Sequence, residues 1–120
     1  MKVAVTSQGA DLTSEVDPRF GRARCFIVFD TDTGGFTSHD NTQNLNAVQG
    51  AGIQAARKVA DLEVEAVVTG NVGPKAFSVL QQANVKIYLG AKGSVKDAFE
   101  QFQSGQLGPV SGPNVEGHWT

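Results

Sequence analysis

From residue 51 onward the chain alternates short β-branched runs with stretches of helical periodicity. That alternation constrains its architecture more tightly than any other feature. Ala51, Ala55, Val59 and Leu62 recur at the spacing of one helical face. Ala66–Thr69 follows as a strand. Ala76, Leu80 and Ala83, with Phe77 beside them, mark a second helix, and Pro74 stands at its first helical position. Lys86–Leu89 is the next strand. Val95, Ala98, Phe99 and Phe102 form the stripe of a third helix, with Ser94 as its N-cap and Asp97 three residues on. Such alternation calls for parallel strands joined by helical crossovers.

The first half contributes a different unit. Val3–Thr6 reads as a strand, Cys25–Asp30 as a second and Phe36–Asp40 as a short polar third. The Gly34-Gly35 turn between the last two makes them an antiparallel hairpin. The order β-β-β-α-β-α-β-α predicts an α/β fold: a three-layer α/β/α arrangement around a five-stranded mixed sheet, with the first strand central. Residues 1–104 read as a single α/β domain, as suits a chain of 120 residues. Residues 105–120 hold four glycines and two prolines without apolar periodicity, and read as a flexible tail.

Composition narrows the function classes. A formal net charge of −2 argues against a nucleic-acid protein held by bulk positive charge. Val3-Ala4-Val5 is too short for a signal peptide or a membrane span, so a cytoplasmic location without a membrane partner is expected. One cysteine, Cys25, excludes an internal disulfide or a site of several thiolates from one chain. It opens an apolar strand and reads as a small buried hydrophobe. His39 and His118 have no ligand-spaced partner and read as solvent-exposed. The first strand carries no acid, which argues against a two-metal nuclease. No Ser/His/Asp arrangement is present, so neither a catalytic nor a metal-ligating residue is nominated.

Three glycine-containing segments remain. They are Asp17-Pro18-Arg19-Phe20-Gly21-Arg22, with Arg24 close behind; Gln49-Gly50-Ala51-Gly52; and Gly70-Asn71-Val72-Gly73-Pro74-Lys75. The second and third lie at helix N-termini, where unpaired N–H groups and the positive end of the macrodipole attract anions. Glycine lets an anion approach the backbone, and Arg19, Arg22 and Lys75 would add full charges. Gly-Pro before a helix is also ordinary loop grammar, so the residues alone leave both readings open. Gly50-Ala51-Gly52-Ile53-Gln54-Ala55 fits G-x-G-x-x-A, but it lacks the preceding strand and the later acid of a dinucleotide site. Gly90-Ala91-Lys92-Gly93-Ser94 lacks phosphate-loop spacing and reads as a strand-to-helix turn.

Arg19-Phe20-Gly21-Arg22-Ala23 before a strand, the Gly50-Ala51-Gly52 turn, Gly70-Asn71-Val72-Gly73-Pro74-Lys75-Ala76-Phe77 and Val85-Lys86-Ile87-Tyr88 occur here in order. In this set the chain resembles the dinitrogenase iron–molybdenum cofactor-binding family, which includes NifX, NafY and the C-terminal domain of NifB, over about residues 1–107. The resemblance looks strongest to small stand-alone members, some of which carry a molybdenum–copper sulfide cluster. It implies a ribonuclease-H-like motif and a non-enzymatic role: carrying a molybdenum-containing metal–sulfur cluster, of the thiomolybdate–copper or iron–molybdenum type. Such clusters are compact polyanions, suited to backbone N–H and guanidinium groups. The implied cofactor-binding residues are Arg19, Phe20, Gly21, Arg22, Gln49, Gly50, Gly52, Asn71, Gly73 and Lys75. Several nitrogenase-linked members have histidine where this chain has Arg19 and Gln49, so capture by charge and hydrogen bonds is expected rather than imidazole ligation. Two alternatives stand beside this reading. One is an interaction module docking to a MinD-type ATPase, with the tail as tether. The other is an enzyme acting on small anions or nucleotide phosphates, which lacks an identifiable general base.

Overall fold

A computed structural model describes residues 1–44 and 50–114. Its sheet is formed by β1 (Lys2–Ser7), β2 (Cys25–Asp30), β3 (Phe36–Asp40), β4 (Ala66–Val68) and β5 (Lys86–Tyr88). The helices are α1 (Ala51–Asp61), α2 (Pro74–Gln82) and α3 (Val95–Gln103), and a single 3-10 turn spans Thr42–Asn44. The strand order is β3-β2-β1-β4-β5, with β1 central. β1 pairs antiparallel with β2 and parallel with β4, and β2 pairs antiparallel with β3. This is the mixed five-stranded α/β sheet expected from the sequence. No helix among the described residues is long and apolar enough to cross a membrane.

Alternation along the strands divides the core into two faces, because successive side chains point to opposite sides. Ala4, Val28, Val67 and Ile87 meet α1 and α2 through Ala55, Ala56, Val59, Ala76 and Leu80. Val3, Val5, Ile27, Phe29, Ala66 and Val68 meet α3 through Val95 and Ala98. Phe99 of α3 stacks on Phe29 with ring centroids 3.9 Å apart. The helices therefore lie two on one face and one on the other. One stripe residue departs from expectation: Ala83 is exposed, because α2 ends at Gln82 and Ala83 is already its C-cap.

Residues 105–114 differ more. Expected as the start of a loose tail, this stretch is laid against the domain. The Val110 N–H donates to Ile87 O at 2.9 Å, and Pro109 bridges Tyr88 at the sheet edge. Leu107 packs on the α3 face and Val110 on the α1–α2 face. Glycine and proline here permit close lateral contact with a strand; they do not prevent order.

Candidate functional site

β1, β3 and β4 run in the same direction, so their carboxyl ends share one edge of the sheet. α1 leads into the start of β4 and α2 leaves its end, which puts both helix N-termini at that edge. Binding sites of open α/β sheets gather there. The long connection 8–24 leaves β1 at the same edge.

That connection is pinned along its length. The Asp17 N–H donates to Thr6 O at 3.0 Å, and the Thr6 hydroxyl donates to Asp17 O at 2.7 Å. Thr6 Oγ1 also lies 2.8 Å from Thr69 Oγ1, joining the ends of β1 and β4 beneath the loop. Farther on, the Phe20 N–H donates to Asn71 O at 3.2 Å, and Asn71 Nδ2 donates to Pro18 O at 2.9 Å. Gly70 makes this approach sterically allowed: a Cβ there would sit 2.9 Å from both Pro18 Cα and Pro18 O. At the loop's far end, buried Asn41 donates its N–H to Arg24 O and its Nδ2 to Ala23 O. Phe20 is fully buried and lies 5.6 Å from the Phe26 ring. Two of the three segments nominated from the sequence are thus bonded to one another.

The pinned loop forms a polar cavity of about 300 Å³ lined by Gln8, Asp17, Arg19, Arg22 and Arg24. Asp17 is buried on its wall. Its Oδ1 accepts the Arg19 N–H at 3.1 Å, and its carboxylate also accepts the Arg24 N–H. Burial raises the Asp17 pKa above the ordinary carboxylate value, outweighing these N–H groups and the charges of Arg19 and Arg24, which act to lower it. Arg24, Gln8 and Asp17 were not nominated from the sequence. Arg24 carried a signal in its proximity to Arg22. Gln8 carried none, because the loop folds back on β1 only in three dimensions.

The helix N-termini at this edge are built in two ways. Neither Gly50 before α1 nor Gly73 before α2 is accompanied by a side-chain cap, and Pro74 occupies the first turn of α2. Gly50 has φ +83°, a conformation glycine adopts without strain. Ser94 before α3 instead accepts the Asp97 N–H at 3.1 Å, while the Asp97 carboxylate accepts the Ser94 N–H at 3.3 Å. Val95 and Lys96 donate to Ser14 O and Leu12 O of the long loop. The strand-to-helix turn read at 90–94 is therefore a closed structural joint.

The remaining nominated residues fall out as follows. Gly21, Gly52 and Gly73 are buried, Gly50 is partly buried, Lys75 is exposed, and Gln49 lies outside the described residues. Phe20 acts from the core as the anchor of its loop. Asn71 is a tie: beyond its bond to Pro18, its Oδ1 accepts Asn114 Nδ2 at 2.9 Å. Asn114 in turn accepts the Val72 N–H at 2.8 Å and donates its own N–H to Val72 O. Cys25 is buried, and burial pushes its thiol pKa up, which disfavours the thiolate a metal would need. His39, expected to be solvent-exposed, is partly buried with a ring nitrogen 2.8 Å from Thr37 Oγ1; burial lowers its pKa, helped by Lys58 and Lys2. His118 lies outside the described residues. Among the described residues, no group of three His, Cys, Asp or Glu side chains could hold a metal ion.

Comparison with known proteins agrees with this architecture. A family model described as dinitrogenase iron–molybdenum cofactor matches residues 1–105. The apo form of the orange protein from Desulfovibrio gigas superposes with a TM-score of 0.92 at 40% identity, covering 95% of this chain and 96% of that one. An NMR structure of a NifB-like protein from Thermotoga gives a TM-score of 0.84 at 35% identity, covering 97% and 98% of the two chains. An uncharacterized protein of Methanocaldococcus jannaschii is 28% identical over 96 residues, which is 78% of this chain and 81% of that relative.

Proposed function

We infer what the site does from one premise: this chain belongs to the dinitrogenase iron–molybdenum cofactor family. Its general role is cofactor binding. The finer reading is that it carries a compact, anionic, molybdenum-containing metal–sulfur cluster as cargo. Three arginines lining one cavity carry this reading. In a thiomolybdate–copper species sulfido ligands already complete the metal coordination, so the protein needs to supply positive charge and N–H donors rather than thiolate or imidazole. Arg19, Arg22 and Arg24 supply the charge and planar N–H donors. Gly50, Gly52, Gly73 and Lys75 would add backbone donors and a further cation from the two helix starts. Arg19 in place of a histidine favours a thiomolybdate–copper species over the iron–molybdenum cofactor, since it offers hydrogen bonds but no metal ligation.

Reconstitution without oxygen tests the proposal. The protein is mixed with tetrathiomolybdate and cuprous ion, desalted, and examined by absorption spectroscopy and metal analysis. A visible chromophore retained at a fixed metal-to-protein ratio is expected. Complete loss of molybdenum on desalting, both here and after loading with a preformed iron–molybdenum cluster, would overturn the carrier reading. Retention only of a preformed iron–molybdenum cluster would overturn the preference for thiomolybdate.

A further inference from the structure

The arginine cavity contains one residue of the wrong sign for an anion site. Asp17 is buried on the wall it shares with Arg19, Arg22 and Arg24. The carboxylate helps to hold the loop by accepting the Arg19 N–H at 3.1 Å, but the loop is also held by other groups. Thr6 fixes both backbone groups of Asp17, Asn71 fixes Pro18 and Phe20, and Asn41 fixes Ala23 and Arg24. With the backbone pinned at these points, the side chain's negative charge is the property its neighbours do not duplicate.

We propose that Asp17 sets the charge of the anion cavity, weakening capture enough to keep it reversible and coupling it to proton uptake. This rests on the carrier reading and assigns a residue that acts against affinity. A dianion entering the cavity meets three guanidinium groups and one carboxylate. Binding is then favoured when the carboxylate takes up a proton, and by reciprocity the bound anion raises the carboxylate's proton affinity. The charged side chains lining the cavity with Asp17 are Arg19, Arg22 and Arg24. Among the described residues the uncharged groups meeting it are Thr6, which bonds its backbone, and Gln8, which lines the cavity beside it. Burial already raises the proton affinity of Asp17 in the free protein, so less further shift is needed for protonation on binding.

The experiment uses full-length protein and tetrathiomolybdate at neutral pH. Calorimetry in two buffers of different ionisation enthalpy measures proton uptake directly. Asp17→Asn removes the charge and keeps one oxygen acceptor, for the Arg19 N–H, at the cost of the one that serves the Arg24 N–H. It is expected to bind the anion about tenfold more tightly, the size expected for removing one charge near a dianion in a water-exposed cavity. It should also take up no proton, whereas the wild type takes up a measurable fraction of one. Glu15→Gln, an equal charge change at an exposed position of the same loop, should change affinity less than twofold. A wild type that binds tetrathiomolybdate without proton uptake overturns the inference, whatever the variant does. So does a folded Asp17→Asn protein that binds equally or more weakly, while the carrier reading survives. A wild type that captures no tetrathiomolybdate overturns the thiomolybdate form of the carrier reading, and the inference with it.

Discussion

α2 and α3 both start at the edge where the parallel strands end, yet their first turns have opposite fates. Around the start of α3, Ser94, Val95, Lys96 and Asp97 all have their N–H groups engaged by Asp97, Ser14, Leu12 and Ser94 respectively. The start of α2 has a glycine N-cap, a proline and no capping side chain. α1 resembles α2 in this respect. The helices without side-chain caps are the two on one face of the sheet; the sealed one is alone on the other. A helix N-terminus is thus not a site by virtue of being one. Its surroundings decide whether the amides serve the fold or remain for a ligand.

Four variants break or sharpen that contrast, from the largest expected effect to the smallest. Gly70→Ala should do the most damage, because its Cβ would meet Pro18 backbone atoms at 2.9 Å. A rigid clash of this kind costs about 1–3 kcal/mol. Denaturant unfolding should show the loss, and cluster retention should fall with it as the loop is pushed from α2. Arg19→Ala combined with Arg22→Ala should weaken tetrathiomolybdate retention about tenfold or more, since charge-assisted contacts are lost. Wild-type retention should itself fall with added salt, and the double variant should show a shallower dependence. Ser94→Ala should give the converse result. Losing an N-cap costs about 1 kcal/mol of stability, while retention stays at the wild-type level. Reduced retention in Ser94→Ala would erase the distinction between the sealed helix start and the others.

The smallest effect concerns pH. Burial raises the Asp17 pKa in the folded state, so the folded protein holds that proton more firmly than the unfolded chain. The stabilising contribution of Asp17 is therefore complete below the ordinary carboxylate range and is lost as pH rises through the raised folded value. Asp17→Asn should melt slightly above wild type at neutral pH. The gap should close as the pH falls below that range, as thermal denaturation followed by circular dichroism would show.

The elements were legible because their signals are local. Ala51, Ala55 and Val59 mark α1 within a few residues of one another, and Ser94 with Asp97 marks the start of α3. The edge site was legible only in part. Topology brings Arg19 near Asn71, and the glycine segments were visible, but nothing local says that Asn71 would be a tie rather than a ligand contact. Its partners, Pro18 and Asn114, lie far away in sequence. Phe20 sits in a conspicuous motif and turns out to be core, because an aromatic ring between glycine and arginines looks alike whether it anchors a loop or meets a ligand. The ordering of 105–114 was hidden for a related reason: an edge-bound extended segment needs no apolar period, so composition alone suggests a loose end.

Asn114 has a practical consequence. Residues past the end of the family match brace the turn that leads into α2. Cutting the chain before Asn114 would remove that brace and loosen the turn into α2. The amino terminus is tied as well, its ammonium 3.1 Å from solvent-facing Asp32 and the Met1 carbonyl accepting the Thr31 N–H at 2.9 Å.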